Sequence, residues 1–350
     1  MKKRYLSTGN EACGEGAIRA GCTFYAGYPI TPQNEITSYM SRRMEEEGNT
    51  FIQAESELAA VNMVFGAAAA GARSMTSSSS PGLSLKLEGI SYLAGAELPS
   101  VIVNVMRGGP GLGNIAPAQG DYFQATKGGG HGDYHTIVLA PSSVQETFDL
   151  TFDAFALADK YRTPVMILSD GMLGQMMEPV EFDDAVKPEG IVAKEWAMTG
   201  SKGRESRSIQ SLLLQEGVLE EHNKKLQLKY RDIEKNEIRV ETYKTEDADI
   251  VLVAYGSMSR VSRTCVDQLR ADGIKAGMVR PITLWPFPYK TISDIAKKAK
   301  KFLVVEMSAG QMVEDVRLAV QDDKRVFFYG RMGGGVPTEE QVLEKISEMS

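Results

Sequence analysis

The sequence predicts an α/β protein with two domains, each built on a parallel sheet that helices cover. Short apolar strand patterns alternate with helical patterns between residues 10 and 170, and the alternation resumes after residue 249. The strand pattern VIVNVM at 101–106 is apolar almost without interruption, which is typical of a parallel sheet buried on both faces. A chain of 350 residues, 43% of them hydrophobic, is long enough to bury two such cores.

The first domain is predicted to span residues 1–175. A helix is expected at 10–20, and another begins near Thr31, which suits an N-cap, with Pro32 at the first helical position. A third helix, at about 56–72, is apolar nearly all round, so we expect it to be buried on all sides. Strands are predicted at 23–26, 51–54, 73–77, 100–106, 136–140 and 164–168.

Residues 176–245 are more polar and are predicted to be a linker. It contains a charged helix at about 206–234, whose loosely spaced apolar positions indicate that it lies across a surface. Residues 246–350 are predicted to form a smaller α/β domain. Its strands are expected at 249–254, 275–279, 302–306 and 325–329, with a helix between the first two.

Composition excludes several classes of partner. The net charge of −7 argues against nucleic acid and anionic membranes. The basic run at 224–231 is followed by acids and is interpreted as the solvated face of a helix. Polar residues follow the basic start at 1–4, and the most apolar helical stretch, 61–72, is too short to span a bilayer. A soluble, cytoplasmic protein is therefore expected.

The three cysteines, Cys13, Cys22 and Cys265, are far apart in sequence and form no C-x-x-C motif. They cannot supply the four thiolates that a [4Fe-4S] cluster needs. Each is interpreted as a small buried hydrophobic residue.

Ligands of parallel sheets bind where the carboxyl ends of the strands meet loops and helix N-termini. Four predicted junctions are rich in candidate residues: GYPITP at 27–32, ESE at 55–57, SSSSPG at 77–82 and RGGPGLGN at 107–114. The last segment matches neither a P-loop nor a G-x-G-x-x-G motif. Its Arg107 can offer a planar fork to a carboxylate or anchor the loop through a salt bridge, and both interpretations remain open.

Glu57 is the strongest single candidate for a functional residue. It falls in the first turn of the apolar helix, where the helix dipole tolerates an anion but burial opposes one. Two alternatives remain open: Glu57 is a capping-box acid, or Glu55 is the functional residue instead. Ser80 and the serines before it either contact a ligand or satisfy a helix N-terminus.

Several short motifs occur in a fixed order along the chain. They are GNEA at 9–12, YPITP at 28–32, ESE at 55–57, SPG at 80–82, Arg107 with GPG at 109–111, QGD at 119–121, GHGD at 130–133, RPITLWPFP at 280–288 and VEMSAGQ at 305–311. Each motif is weak alone, but together they resemble the α subunit of the 2-oxoacid:ferredoxin oxidoreductases. The resemblance covers about residues 5–180 and 245–340.

This resemblance implies a thiamine-diphosphate-binding fold of the pyrimidine type for the first domain and a transketolase C-terminal-like fold for the second. It assigns to Glu57 the catalytic role of sharing a proton with the pyrimidine ring of thiamine diphosphate. The other roles that it implies are coenzyme contact for Tyr28, Pro29 and Ser80, and substrate contact for Thr31, Arg107 and Asn114.

The resemblance also implies an activity that requires other subunits. The family decarboxylates a 2-oxoacid oxidatively to an acyl-CoA and CO₂ and reduces ferredoxin. The segments GDY at 120–122 and 132–134 lack the third glycine of the G-D-G motif that holds Mg²⁺ on the diphosphate. A β subunit is therefore expected to carry the diphosphate and Mg²⁺, and iron–sulfur subunits to carry the [4Fe-4S] clusters. Ferredoxin and coenzyme A complete the expected partners.

The loop after Arg107, GGPGLGNI at 108–115, resembles that of the branched-chain members of the family, which oxidise 3-methyl-2-oxobutanoate. A glycine and a leucine there suit an apolar side chain and offer no partner to a second carboxylate. Substrates that remain open are 2-oxoglutarate and pyruvate. A non-catalytic scaffold subunit and a nucleotide-binding α/β enzyme of another class are the competing interpretations.

Overall fold

The computed structural model describes residues 3–182, 188 and 193–349. Met1, Lys2, Ser350 and two stretches of the predicted linker, 183–187 and 189–192, lie outside the described residues. None of the helices in the described ranges is both long enough and apolar enough to cross a bilayer.

The described strands and helices alternate along most of the chain. The strands are β1 (Lys3–Thr8), β2 (Phe24–Gly27), β3 (Thr50–Gln53), β4 (Ser74–Ser78), β5 (Ser100–Met106), β6 (Ile137–Leu139), β7 (Pro164–Asp170), β8 (Met177–Phe182), β9 (Val240–Tyr243), β10 (Ile250–Val253), β11 (Ala276–Pro281), β12 (Thr283–Trp285), β13 (Lys301–Glu306) and β14 (Val326–Gly330). The helices are α1 (Gly9–Arg19), α2 (Asn34–Glu46), α3 (Glu57–Ala69), α4 (Ser80–Gly95), α5 (Tyr122–Thr126), α6 (Val144–Tyr161), α7 (Gly171–Gln175), α8 (Val218–Asn236), α9 (Gly256–Ala271), α10 (Tyr289–Ala296), α11 (Met312–Val320) and α12 (Glu339–Glu348).

The larger sheet has the strand order β12-β6-β7-β5-β4-β2-β3, and all of its pairs except β12–β6 are parallel. Every residue of β5 and β7 is buried, as the apolar strand patterns predicted, and every residue of β4 is buried too although its sequence, SMTSS, is mostly polar. The predicted α/β class with parallel sheets is confirmed. Strand β12 belongs to this sheet although it lies more than one hundred residues after β7 in the sequence. The larger sheet therefore includes a strand from beyond the predicted domain boundary at residue 245.

The second sheet has the order β14-β13-β10-β11-β9, with only β9 antiparallel to its neighbour among the described strands. Helix α8 crosses the surface, as expected, and buries Leu226, Tyr230 and Ile233. It begins later than predicted because Gly217, with φ of 78°, takes a left-handed conformation that interrupts any helix from 206.

Helix α2 does not begin at Thr31 and Pro32, as the sequence had indicated. Gln33 occupies the N-cap position, and the helix starts at Asn34. The reason is tertiary: the Pro32 carbonyl accepts hydrogen bonds from the side-chain amides of Asn10 (2.7 Å) and Gln175 (2.9 Å). These bonds hold the segment before Gln33 as a loop at the end of β2.

Helix α3 is not buried on all sides, so that expectation is wrong. Ala60, Val61 and Val64 are fully buried, but Leu58 is 46% exposed and Asn62 and Gly66 also face solvent. The helix covers only one side of β2 and β4 at the edge of the sheet, and no described element of this chain covers its outer face.

The cysteines are buried, as predicted, and none forms a disulfide. Burial raises the pKa of each thiol to about 12, which keeps Cys13, Cys22 and Cys265 protonated at neutral pH.

Gln119 connects the two halves of the molecule. Its backbone N–H donates to the Met307 carbonyl (2.8 Å), its side-chain oxygen accepts from the Met307 N–H (3.0 Å), and its side-chain nitrogen donates to the Tyr255 carbonyl (2.9 Å). Because Gln119 is fully buried, these bonds satisfy polar groups that water cannot reach. The QGD motif therefore fixes the second sheet against the first.

A second connection is the buried guanidinium of Arg280 on β11. It donates to both oxygens of Glu146 on α6 (2.8 and 2.7 Å) and to Glu241 on β9 (2.7 Å). Burial alone would raise the pKa of the Glu146 carboxyl, but the hydrogen bonds and charge of Arg280 hold that pKa below its usual range.

We expect Arg280→Met to lower the free energy of unfolding by about 2 kcal/mol at neutral pH, because it leaves the half-buried Glu146 carboxylate without its cation, whereas Glu241 keeps its ion pair with Arg263. Because the pKa of Glu146 is lowered in the folded state, the loss should shrink as the pH falls below the usual pKa of a glutamate carboxyl, where protonation of Glu146 removes the pair from the wild type as well. Urea unfolding at several pH values measures this. Lys290→Met, which removes the solvent-exposed pair with Asp294, is the control and should change the free energy of unfolding far less. Equal losses in the two variants would contradict the prediction.

Candidate active site

The candidate residues meet at the carboxyl edge of the larger sheet. Strands β3, β2, β4 and β5 lie side by side and parallel, so the loops that follow them open on the same edge. The loops after β2 and β5 carry Tyr28, Thr31 and Arg107, and the helices after β3 and β4 begin at Glu57 and Ser80. The topology thus brings together four segments that are up to eighty residues apart in sequence.

Glu57 is the first residue of α3 and is only 6% exposed. The N-cap is Ser56, whose hydroxyl accepts from the Ala59 N–H, so Glu57 does not occupy the position of a capping-box acid. Glu55, the alternative candidate, is exposed. Among the described residues, no hydrogen-bond donor reaches the Glu57 carboxylate, which leaves a nearly buried anion available to a ligand.

Helix α4 approaches Glu57 closely at Gly82. A Cβ atom at Gly82 would lie 2.5 Å from Oε1 of Glu57 and 2.3 Å from Oγ of Ser78. The Ser78 hydroxyl is itself buried and has no hydrogen-bond partner in the described part of the chain. The Glu57 carboxylate and the Ser78 hydroxyl therefore lie together against the backbone of α4, and buried polar groups of this kind are normally satisfied by a partner, a ligand or water.

Ser80 belongs to a buried network at the start of α4. Its hydroxyl donates to Oδ2 of Asp121 (2.6 Å), and it accepts from the backbone N–H of Arg107 (3.0 Å). Asn104 donates to the same Asp121 oxygen (2.9 Å) and accepts from the Ser80 N–H (3.0 Å). Burial raises the pKa of Asp121, and the bonds from Ser80 and Asn104 oppose that rise. The network fixes the loop after β5 to the start of α4.

Arg107 extends from this network toward the loop after β2. Its Nη1 donates to the Thr31 carbonyl (2.9 Å) and its Nη2 to the Leu112 carbonyl (2.9 Å). Its Nε is buried and has no partner among the described residues. The guanidinium therefore anchors two loops through backbone carbonyls rather than through a salt bridge. It still has donors for a carboxylate or a carbonyl oxygen.

Asn114 lies on the exposed loop after Arg107. Its amide nitrogen donates to the Gly333 carbonyl (2.7 Å), and its amide oxygen accepts from the Ala116 N–H (3.0 Å). The side chain therefore ties the loop to the second half of the chain. Contact of Asn114 with a substrate stays a prediction.

Tyr28 and Pro29 are exposed at the end of β2. Fully buried Gln33 supports their loop: its side-chain nitrogen donates to the Tyr28 carbonyl (3.3 Å), and its oxygen accepts from the Ser77 hydroxyl (2.5 Å). The Ser77 hydroxyl also bonds to the Tyr25 hydroxyl at 2.6 Å. This network orients the loop; coenzyme contact by Tyr28 and Pro29 is untested.

Sequence reasoning missed Asn104 and Gln33, which support the candidates. Asn104 interrupts an otherwise apolar strand, and this was the visible signal of a buried polar role. Gln33 lies among other polar residues and carries no such signal. Ser78 and Asp121 belong to segments that the sequence had singled out, the serine run and the QGD motif. No group of three or more His, Cys, Asp or Glu side chains that could hold a metal ion occurs in the described ranges.

Two family models match nearly the whole chain. Residues 15–244 match the pyruvate flavodoxin/ferredoxin oxidoreductase, thiamine diphosphate-binding family, and residues 248–342 match core domain II of pyruvate:ferredoxin oxidoreductase. The chain belongs to the 2-oxoacid:ferredoxin oxidoreductases, a thiamine-diphosphate-dependent family, and is a subunit of such an enzyme complex. The membership indicated by the ordered motifs is confirmed.

Individual relatives show where in the family the chain lies. The ketoisovalerate oxidoreductase subunit VorB of Methanothermobacter marburgensis is 55% identical over 98% of this chain and 97% of its own length. The 2-oxoglutarate synthase subunit KorA of Methanothermobacter thermautotrophicus is 38% identical over 100% of both chains. A solved 2-oxoglutarate:ferredoxin oxidoreductase from Magnetococcus marinus, with 2-oxoglutarate, coenzyme A and succinyl-CoA bound, matches with a TM-score of 0.86 and 29% identity over 99% of this chain. The present chain spans 65% of that longer one.

The contact at Gly82 generates a stability prediction. Alanine is a better helix former than glycine by about 0.5–1 kcal/mol, so Gly82→Ala would be stabilising if space allowed. Because its Cβ would collide with Glu57 and Ser78, we expect a net destabilisation of about 1–2 kcal/mol in urea unfolding. Gly66→Ala on α3, where a Cβ meets nothing within 4 Å, is the matched control and should be stabilising. Equal stability of the two variants would show that α4 does not press on Glu57.

Proposed function

We propose that this chain is the coenzyme-ring and substrate subunit of a ketoisovalerate:ferredoxin oxidoreductase. The overall reaction converts 3-methyl-2-oxobutanoate, coenzyme A and two oxidised ferredoxins into 2-methylpropanoyl-CoA, CO₂, a proton and two reduced ferredoxins. The observation that carries the proposal is the Glu57 carboxylate, nearly buried at the start of α3 and without a hydrogen-bond donor in the described part of the chain.

The residues around Glu57 fit the pyrimidine ring of thiamine diphosphate. The ring nitrogen needs a carboxylate in a dry site with which to share a proton, and Glu57 supplies one. The Ser78 hydroxyl, which has no hydrogen-bond partner among the described residues, offers a further polar contact. Tyr28, Pro29 and Ser80 would border the ring. When bound, the coenzyme supplies the nucleophilic carbon that attacks a 2-oxoacid and retains the electrons released by decarboxylation.

Arg107 and Thr31 are the proposed substrate contacts. The unpartnered Nε of Arg107 and its remaining N–H groups can bind the carboxylate of a 2-oxoacid, and the Thr31 hydroxyl can donate to its keto oxygen. Burying a donor without a partner is costly, which supports a ligand oxygen at this position. The role of these residues is to orient the scissile bond, since neither is placed to exchange a proton.

The diphosphate, Mg²⁺ and the iron–sulfur clusters are proposed to be held by partner subunits. Asp121 lies in one of the two GDY segments, and its Oδ2 accepts hydrogen bonds from Ser80 and Asn104. These bonds support a structural role for Asp121 in this chain. The coenzyme would then lie between this chain and a β subunit. The outer face of α3, exposed at Leu58 beside Glu57, is adjacent to such an interface.

Two observations favour a branched-chain substrate over 2-oxoglutarate. The identity to the ketoisovalerate relative is 55%, against 38% to the 2-oxoglutarate relative of similar coverage. The loop that Arg107 anchors presents Leu112, which is 80% exposed, and contains no cation after Arg107 that would pair with a second carboxylate.

We expect Glu57→Gln to reduce kcat of the assembled complex at least about 100-fold, because an amide cannot share the ring proton as a carboxylate does. Ferredoxin reduction with 3-methyl-2-oxobutanoate measures this. Glu55→Gln changes the exposed acid two positions earlier and should leave kcat within about twofold. If Glu57→Gln retains near-normal turnover, the chain acts as a scaffold and the proposal fails.

The substrate assignment predicts that the complex prefers 3-methyl-2-oxobutanoate to 2-oxoglutarate by at least about tenfold in kcat/KM. Leu112→Arg should narrow this ratio by giving the second carboxylate a partner, whereas Ile115→Arg, on the same loop and also exposed, should leave it unchanged. A preference of the unmodified complex for 2-oxoglutarate would overturn the assignment.

A further inference from the structure

Lys86 is a buried lysine for which the proposed function has no use. It is 0% exposed on α4, whereas its neighbour Leu85 is 56% exposed, which reverses the pattern expected of an amphipathic helix. Its Nζ donates a 2.6 Å hydrogen bond to the Thr76 hydroxyl on β4, and no carboxylate in the described ranges forms an ion pair with it. Burying a lysine in this way is costly, and such local inconsistencies are expected at functional sites.

The position of Lys86 relates it to Glu57. Gly82 and Lys86 are one turn apart on the same face of α4, and it is Gly82 that approaches Glu57. One turn further, a Cβ at Gly89 would lie 2.5 Å from Val61 of α3. Lys86 therefore lies between two points at which α4 touches α3, with Glu57 at one end.

Glu57 is the charged group that acts on Lys86. Strands β4 and β5, which also contact α4, carry no ionisable side chain, and Asp170 at the end of β7 is bonded to Ser257 instead. Burial lowers the pKa of Lys86 to about 7, and the attraction of the Glu57 carboxylate opposes this fall. The negative charge of Glu57 therefore acts on Lys86 across a buried helix interface.

We propose that Lys86 is a positioning residue that keeps Glu57 ionised and lowers its affinity for the proton it shares with the coenzyme ring. This inference rests on the proposed role of Glu57. A buried carboxyl group without a cation nearby favours its protonated form, so a proton would stay on Glu57 rather than on the ring nitrogen. With a positive charge at Lys86, the proton is taken from solvent when the ring binds and is held on the ring side of the hydrogen bond.

The test is the pH dependence of thiamine diphosphate affinity in the assembled complex with Mg²⁺, measured by calorimetry without substrate. Above the pKa of Glu57 in the coenzyme-free complex, binding takes up a proton and the affinity falls as the pH rises. The pH at which this fall begins therefore reports that pKa. In Lys86→Met, we expect the fall to begin about one to three pH units higher than in the wild type, because an opposite charge shifts a carboxyl pKa by that much.

Methionine has a similar length and removes a buried charge, so the variant should fold, and thermal unfolding checks this. Ile90→Met, a buried substitution one turn further along α4, controls for packing and should leave the pH dependence unchanged. Lys86→Arg keeps the positive charge, and the fall should begin no higher than in the wild type. An unchanged pH dependence in Lys86→Met, or an equal shift in Ile90→Met, would overturn the inference.

Glu57→Gln separates this inference from the proposed function. Loss of the pH dependence in Glu57→Gln, together with the shift in Lys86→Met, supports both. If Glu57→Gln loses the pH dependence but Lys86→Met behaves as the wild type, only the role of Lys86 is wrong. If Glu57→Gln binds the coenzyme with the wild-type pH dependence, the proposed role of Glu57 is wrong.

Discussion

The close packing of α3 against α4 is the constraint on which the candidate site depends. Gly82 and Gly89 allow the two helices to approach so closely that a single methyl group would collide with Glu57 or with Val61. Because α3 follows β3 and α4 follows β4, this approach places two helix N-termini at the same edge of the sheet. The carboxylate of Glu57 is thereby largely removed from water and lies close to the buried Ser78 hydroxyl. A carboxyl group held in this way suits proton sharing with a heterocycle far better than a solvated one does.

The polar groups of this edge divide into two sets with different consequences. Ser80, Asn104 and Gln119 are buried and Asp121 is half-buried, and their hydrogen bonds to one another or to backbone groups fix loops and connect the two sheets. Such satisfied networks rigidify a structure. By contrast, the Ser78 hydroxyl and Nε of Arg107 are buried and have no hydrogen-bond partner in the described part of the chain. The satisfied network fixes the positions of these two unpartnered groups. A ligand that forms hydrogen bonds with them would therefore offset the free-energy cost of their burial.

The fold and the general location of the site followed from sequence patterns that have a direct physical cause. Continuous apolar runs indicated strands buried on both faces, and β5 lies where its pattern predicted. Glycine, proline and polar residues after those strands identified the carboxyl edge. The order of the motifs identified the family, which the family models confirm. These features are local in sequence, and for that reason one chain without a structure was sufficient to predict them.

Tertiary structure decided what depends on contacts between distant segments. The side-chain amides of Asn10 and Gln175 donate hydrogen bonds to the Pro32 carbonyl, so α2 begins at Asn34 and not after the predicted N-cap at Thr31. The outer face of α3 is exposed because no described segment of this chain covers it, although its composition is that of a core helix. Two glycines of α4 pack on α3 and fix the orientation of α4. Lys86 is buried and Leu85 is exposed as a result, which is the reverse of what their hydrophobicity predicts. Sequence thus determined which elements form and in what order, whereas the pairing of elements determined which side chains lose water and what charges they then face.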